Sequence, residues 1–368
     1  MRTLAPATVG IVGSGQLGWM MITEGRKLQH RFYVLDDNVG PATRVADGHL
    51  PLGEYKKFVE MCDVVTFEFE HVSERVLEYA NKKGKLFPSL ASANLKTDRS
   101  REKMFLRDHG FPVAEFGVAK NRRDALHLAR RLGSAVIKSS RGGYDGKAQY
   151  YYGGDRTIPR NLDFAHGCVV EAYVKFDCEA SIVASRDRDG KKLFHRPTFN
   201  KNEQGILFYT EAPVPDFGMR EIASRLLDAL DYVGVMVVEF FIVHGRAIIN
   251  EFAPRVHNSG HHTLHGSSIS QFEQHLRVIS GLPVPEPVLF RPSGIVNAVG
   301  VDIGKEMQGK LLPIPETRTY SYGKLGLRRR RKMGHVNITA KNRRELKERI
   351  RHVTNLLYDG HHEAYFAA

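Results

Sequence analysis

Along the first third of the chain, short unbroken apolar runs alternate with stretches of helical spacing, the signature of βαβ units built on a parallel sheet. The run VGIVGSG predicts a strand entering a glycine turn, RFYVLDD a second strand and DVVTFEFE a third. Ser73 stands where it would cap a helix whose apolar face carries Val76, Leu77 and Ala80. A linker is expected from Pro88 to Asn94, then a helix from Asp98 to His109 ending at Gly110 and Pro112. From Val113 the pattern changes to a helix over 122–132, the strand AVIK and the glycine-rich GGYDGK. Strand-like segments dominate from Cys168 to Glu211, a helix is expected over 217–231, and a hairpin follows in VGVMVVEFFIV, HG and RAIINEF. Pro283, Pro285, Pro287 and Pro292 break any helical period, and about three strands and a helix over 341–357 are expected beyond them. The pattern therefore predicts an α/β, Rossmann-like N-terminal domain at 1–95, an α+β domain at 96–292 and a small β-rich C-terminal domain at 293–368.

Length and composition agree with several packed domains. A chain of 368 residues exceeds the roughly 250–300 residues at which single cores stop growing. Its 42% hydrophobic and 26% charged residues are far from the composition of disorder. The start, MRTLAPATVGIVGSG, lacks the form of a secretory signal, and no stretch approaches the ~20 apolar residues that span a bilayer, so a cytoplasmic protein without membrane contact is expected. Cys62, Cys168 and Cys178 show no metal-ligand spacing, which argues against a disulfide framework or a structural zinc. The net charge of +13 admits a nucleic-acid reading. The dense basic run Arg328 to Lys332 is read instead as a phosphate site for a small molecule.

Several motifs carry chemistry. Gly13, Gly15 and Gly18 spell GxGxxG, with Asp36 closing the next strand, which alone suggests a dinucleotide site. The same turn also makes a general cradle of N–H groups for a small anion, or a purely structural turn. In IKSSRGGYDGKAQ, Lys138 ends an apolar strand and glycines follow, a pattern suited to phosphate oxygens or, more plainly, to a solvated hairpin. It is not a Walker A loop, because Ala148 follows Lys147. Glu239 and Glu251, with Asn250, lie on the two arms of the hairpin. With an odd-length turn around His244, Gly245 and Arg246 they would oppose each other at about 4.5–5.5 Å between Cβ atoms. Two such acids in apolar strands suit a divalent cation held by oxygen ligands and substrate phosphates; the plainer alternative is two solvent-facing acids. The next run, APRVHNSGHHTLHG, holds Arg255, His257, Asn258, Ser259, His261, His262 and His265. Without an HExxH or a cysteine partner it reads as a polar loop for a small anion more readily than as a zinc site.

Taken together, Lys138, GGYDG, VVEAYV and a Glu twelve residues before the Glu of NEFAPR resemble the ATP-grasp fold. The stretches GSGQLG, FEFEHV, GGYDGK, VGVMVVEFF, INEFAPRVHNSGHHT, SISQFEQHLR and RKMGHVN resemble more narrowly the 5-(carboxyamino)imidazole ribonucleotide synthetases, over about residues 8 to 340. The resemblance implies an ATP-dependent ligase that carboxylates 5-aminoimidazole ribonucleotide with bicarbonate by way of carboxyphosphate, in purine biosynthesis, acting as a homodimer. Arg99 and Lys138 would hold ATP phosphates, Glu171, Ala172, Tyr173 and Val174 would meet adenine, and Glu179 the ribose. Glu239 and Glu251 would carry magnesium, or manganese in its place, with Asn250 beside them. Arg255, His257, Asn258 and Ser259 would bind bicarbonate or carboxyphosphate. Glu70, Tyr144 and Asp145 would face the aminoimidazole, with Lys147 in the same catalytic loop and residues 141–146 as its lid. Gln16 and Leu17 would cradle the ribonucleotide, and Lys324, Arg331 and Lys332 would clamp its 5′-phosphate. Trp19, Arg141, Lys147 and Ala148 depart from the family pattern, Lys147 most consequentially, since Lys lacks the bidentate fork of Arg.

Three rivals are distinguishable. A formate-using ATP-grasp transformylase lacks a reason for RVHNSGH. A nicotinamide oxidoreductase resting on GSGQLG and Asp36 leaves Glu239, Glu251 and GGYDG unexplained. A nucleic-acid-binding module resting on LRRRRK would show a steep salt dependence.

Overall fold

The computed structural model describes residues 6–142, 149–154, 158, 162 and 164–367. The N-terminal run folds as β1 (Thr8–Val12), α1 (Gln16–Gly25), β2 (Arg31–Leu35), β3 (Gly48–Leu50), α2 (Tyr55–Met61), β4 (Val64–Phe67) and α3 (Glu74–Lys82). Its strands pair in parallel in the order β3-β2-β1-β4. Both faces are covered, one by Met20 and Met21 of α1 and the other by Phe58 and Val59 of α2 with Val76 and Leu77 of α3. Strands buried on two faces have no polar side to alternate with, which is why they read as unbroken apolar runs. The sequence pattern does not announce β3 or α2, whose three and seven residues are too few to establish a period. Ser73 does precede α3, but its side chain makes no capping hydrogen bond. The expected linker over 88–94 holds a helix instead, α4 (Leu90–Lys96). Asp98 then caps α5 (Arg99–Asp108), its carboxylate accepting from the Ser100 N–H at 2.9 Å.

The glycine turn between β1 and α1 is filled by the protein itself. Glu68, just past β4, accepts hydrogen bonds from the N–H groups of Gly15 at 2.6 Å and of Leu17 and Gly18 at 3.1 Å each. A Cβ on Gly15 would lie 2.3 Å from Glu68 Oε1, so glycine here makes room for a buried acid of the chain. Asp36 accepts from the Ser14 N–H at 2.9 Å. The positions where a dinucleotide would place its pyrophosphate are thus taken, and the GxGxxG motif is a structural anion cradle.

A second, antiparallel sheet has the order β5-β8-β6-β7, from β5 (Phe116–Ala119), β6 (Ala135–Ser139), β7 (Gln149–Tyr152) and β8 (Cys168–Ala172), with α6 (Arg122–Leu132) on one face. The third sheet comprises β9 (Cys178–Arg186), β10 (Lys192–Phe194), β11 (Thr198–Glu203), β12 (Ile206–Ala212), β13 (Gly234–Val243) and β14 (Arg246–Ala253), then β15 (Ser293–Val299), β16 (Thr317–Ser321) and β17 (Lys332–Thr339). Its order is β14-β13-β9-β11-β12-β15-β17-β16, with β10 on β9. The sheet therefore continues through the proline-rich stretch, since β12 pairs with β15. One face is apolar: Ala180, Ile182, Met236, Val238 and Phe240 pack with α7 (Met219–Ala229), and, past α8 (Thr263–Gly266), α9 (Gln271–Ile279) and α10 (Lys305–Leu311) in the chain, α11 (Arg343–Tyr358) packs on Val296, Ala298 and Val336. The alternate positions, including Glu179, Ser181, Asn200, Glu239, Asn297, His335 and Asn337, share the other face by register. Under the strand period of two, this polar face is where the chemistry must lie. Replacing Glu68 by Ala should lower unfolding stability by about 2 kcal/mol or more in denaturant titration, because three N–H groups would lose their acceptor.

Candidate active site

The hairpin of β13 and β14 places Glu239 directly opposite Glu251. It does so by a different route from the odd-length turn expected. The turn is the pair His244 and Gly245, with φ of 49° and 73°, and Val243 pairs with Arg246. That register alone would set Glu239 against Asn250. A bulge after Glu239 leaves Asn250 out of the ladder and brings Glu251 into opposition. The Asn250 carbonyl accepts from Lys103 Nζ at 2.9 Å, so a lysine of α5 holds the bulge.

The two acids have unequal surroundings. Burial, then the facing Glu251 and Glu179, push the Glu239 carboxyl well above its ordinary range. Lys96, at the end of α4, lies 3.2 Å from Glu251 and outweighs burial, holding that carboxyl below the usual range. Lys96 also pairs with the buried Glu102 at 2.9 Å, and Glu102 accepts from the Phe252 N–H at 3.1 Å. The pair thus has one compensated and one uncompensated carboxylate, a donor set that fits a divalent cation bound through oxygen.

Lys138, on β6, lies 3.0 Å from Glu171 on β8, and Lys103 is 2.8 Å from the other oxygen of the same carboxylate. Against the cost of burial, the two lysines hold Glu171 down at about 2. Glu171 therefore fixes Lys138 by its side chain. Beyond it, the N–H groups of Ala172 and Tyr173 are already donated to Glu115 and Ser134 carbonyls at 2.7 and 2.9 Å. Arg99 donates to the Ser139 carbonyl at 2.8 Å, beside Lys138. Glu179 accepts from Asn202 Nδ2 at 2.8 Å, and burial raises its carboxyl.

The loop after β14 faces the hairpin. Arg255 pairs with Glu70 at 2.6 Å; burial works to raise Glu70, and Arg255 outweighs it. His257 Nδ1 lies 3.3 Å from Glu239 Oε1 and 3.0 Å from Ser259 Oγ. Burial, reinforced by Arg255, pushes the His257 imidazole down to about 3, so it is neutral near pH 7. Asn258 exchanges two amide hydrogen bonds with Asn297, at 3.0 and 2.7 Å. His262 bonds Thr198 and Ser293 at 3.0 and 2.9 Å, His261 bonds Gln271 at 3.0 Å and His265 bonds the Tyr320 hydroxyl at 2.7 Å. The histidine-rich run is thus a hydrogen-bonded scaffold.

On the N-terminal side, Gln16 opens α1, whereas the Leu17 N–H is committed to Glu68 and its side chain lies in the core. Lys324 donates to the Lys332 carbonyl at 2.9 Å, and Arg331 donates to the Leu325 and Gly326 carbonyls at 2.6 and 3.1 Å. The three basic residues therefore gather at one loop between β16 and β17. Trp19 packs edge-on against Tyr320 and Tyr322, with centroids 6.2 and 6.3 Å away. Tyr144, Asp145, Lys147 and Ala148 lie outside the described residues. Lys96, Glu102 and Lys103 were not singled out from the sequence, where each is an ordinary charge on a helix.

An acidic hairpin at the edge of a long sheet, facing a lysine on a smaller antiparallel sheet, defines an ATP-grasp protein, and residues 104–272 match the ATP-grasp domain. Residues 6–96 match the ribonucleotide synthetase preATP-grasp domain, and residues 293–349 the phosphoribosylaminoimidazole carboxylase C-terminal domain. The N5-carboxyaminoimidazole ribonucleotide synthase of Saccharolobus solfataricus is 48% identical over 95% of this chain and 96% of its own length. The crystal structure of the phosphoribosylaminoimidazole carboxylase ATPase subunit of Aquifex aeolicus superimposes with a TM-score of 0.82 at 42% identity, covering 95% of this chain and 99% of that one. The Aspergillus clavatus N5-carboxyaminoimidazole synthase, solved with ADP and 5-aminoimidazole ribonucleotide, gives a TM-score of 0.87 at 27% identity, covering 96% and 99%. The chain belongs to the N5-carboxyaminoimidazole ribonucleotide synthases, ligases of purine biosynthesis that carboxylate aminoimidazole ribonucleotide at the expense of ATP.

Glu171→Gln should cost about 3 kcal/mol, because Lys103 and Lys138 lose their buried counter-charge. The Glu171 carboxyl is depressed, so its contribution is present above its ordinary value of 4.5 and disappears as pH falls through about 2. Urea titrations of both proteins should give a constant difference from about pH 5 upward that shrinks below about pH 4.5.

Proposed function

We propose that the chain joins bicarbonate to the ribonucleotide amine through carboxyphosphate, in the cleft between the β13–β14 hairpin and residues 255–259. The opposition of Glu239 and Glu251 carries this reading. These two carboxylates, with Asn250 beside them, would hold magnesium, or manganese in its place. A cation bound there supplies positive charge to the polyphosphate oxygens. Lys138, oriented by Glu171, and Arg99 beside it neutralise charge on the transferred phosphoryl group. Glu179 takes the ribose hydroxyls. Adenine lies along the backbone of residues 171–174, where the Ala172 and Tyr173 N–H groups are spent on the Glu115 and Ser134 carbonyls.

Arg255, His257, Asn258 and Ser259 hold bicarbonate and then carboxyphosphate. Glu70, paired with Arg255, would face the aminoimidazole with Tyr144 and Asp145, and Lys147 would act from the same catalytic loop. Gln16 meets the ribonucleotide at the start of α1, and Lys324, Arg331 and Lys332 bind its 5′-phosphate. On a division at 1–95, 96–292 and 293–368, the ribonucleotide would lie between the first and third units and ATP within the second. No helix among the described residues is long and apolar enough to cross a membrane. We place the enzyme in the cytoplasm as a homodimer that does not engage nucleic acid.

ADP release tests the reading: it should require both bicarbonate and aminoimidazole ribonucleotide, and turnover without bicarbonate would overturn it. Glu251→Gln should abolish that turnover while leaving the far-ultraviolet circular dichroism unchanged, since a lost metal ligand removes several kcal/mol of transition-state stabilisation. Arg331→Ala should raise KM for the ribonucleotide about tenfold, roughly 1.4 kcal/mol, with KM for ATP nearly unchanged. Equal damage to both would assign Arg331 to holding the 325–326 loop alone.

A further inference from the structure

Gln271 is the first residue of α9 (Gln271–Ile279) and is fully buried. Its side-chain amide addresses a single residue of the anion loop from both sides. Gln271 Oε1 accepts from the His257 N–H at 2.9 Å, and Nε2 donates to the His257 carbonyl at 2.7 Å. The second Nε2 proton points at His261 Nδ1, 3.0 Å away. His257 is extended, with φ −137° and ψ 159°, and lies outside every strand. The Gln271 amide offers it the donor and acceptor that a neighbouring strand would supply.

The amide is itself held. The Gln271 N–H donates to Thr263 Oγ1 at 3.0 Å, and that hydroxyl donates to the Gly260 carbonyl at 2.6 Å. Ser270 caps α9 by accepting from the Glu273 N–H at 3.1 Å, and its hydroxyl donates to Glu24 of α1 at 2.7 Å. On the loop side, a Cβ at Gly260 would lie 2.4 Å from Gln271 Oε1. Residues 257–263 therefore wrap one side-chain amide with no space to spare.

We propose that Gln271 is the positioning residue for bicarbonate: it fixes the peptide of His257, and so sets the imidazole against Glu239 and Ser259. This rests on the assignment of residues 255–259 to bicarbonate. Gln271 does not touch the reacting atoms. It acts through His257, and its loss should register as misplacement of that one substrate, because small displacements of a positioned group cost large factors in rate.

The test is steady-state kinetics on Gln271→Ala, Gln271→Glu and His257→Ala in the full chain, varying each substrate separately. Gln271→Glu keeps the volume and the acceptor but replaces the donor with an oxygen facing the His257 carbonyl. Both Gln271 variants should raise KM for bicarbonate tenfold or more and lower kcat, with KM for ATP and for the ribonucleotide within twofold of wild type. Gly260→Ala, which crowds the amide without truncating it, should reproduce that selectivity, and it serves as the deciding variant where Gln271→Ala does not fold. If His257→Ala shows the bicarbonate defect and the Gln271 and Gly260 variants do not, the positioning role is wrong and the site assignment stands. If none of the variants affects bicarbonate selectively, the assignment of the loop fails with it. Equal increases in all three Michaelis constants would reduce Gln271 to a general packing residue.

Discussion

Two carboxylates facing each other in apolar strands repel, and much of the surrounding structure answers that repulsion. At an effective dielectric near 20, charges roughly 5 Å apart repel by about 3 kcal/mol. The attraction of Lys96 to Glu251 at 3.2 Å is of similar size before the exposure of Glu251 is discounted. It offsets one acid and leaves the other. The neutral imidazole of His257 beside Glu239 does not supply the missing positive charge. The hairpin therefore keeps one acid whose proton affinity is raised by burial and its acidic neighbours beside one whose charge Lys96 already meets.

The remaining counter-charges come from separate parts of the fold. Lys96 belongs to α4, Lys103 to α5, Lys138 to the smaller sheet and Arg255 to the loop beyond the hairpin, where Glu70 of the N-terminal unit meets it. None of these pairs forms within one element. This cluster of ion pairs thus forms only when the three sheets are assembled, and its electrostatics report on their assembly. The long sheet makes this feasible by assigning its two faces to different tasks. One is given over to the helices α7 and α11, and the other carries acids, amides and hydroxyls at the site and, where it meets α1 and α9, the apolar Val183, Val235 and Val237.

Much of this was legible in the sequence where a period or a chemical contrast was present. The hairpin acids stood out because Glu is rare in apolar strands, and helix 122–132 because its pattern fills eleven residues. The opposition of Glu239 and Glu251 was foreseen, but its mechanism was not, since a bulge at Asn250 leaves no mark in composition. Glu68 was invisible as the occupant of the glycine turn because its partners lie some fifty residues away. Lys96, Glu102 and Lys103 have the same difficulty: a surface ion pair and a buried one use the same residues, and only tertiary contact separates them. Gln271 carries no mark in the sequence that sets it apart from the other polar residues of SISQFEQHLR.

The continuity of the long sheet through Pro283 to Pro292 has a consequence for how the chain can be divided. Residues Tyr209–Ala212 of β12 are hydrogen-bonded to β15, whose other side is bonded to β17. A chain ending at 292 would leave β12 with a bare edge whose N–H and C=O groups are a template for strand addition by other chains. The same cut would strip the β15 fragment of its partner. The proline-rich stretch is therefore a crossing in the topology, and severing it would yield two sticky pieces in place of two independent domains.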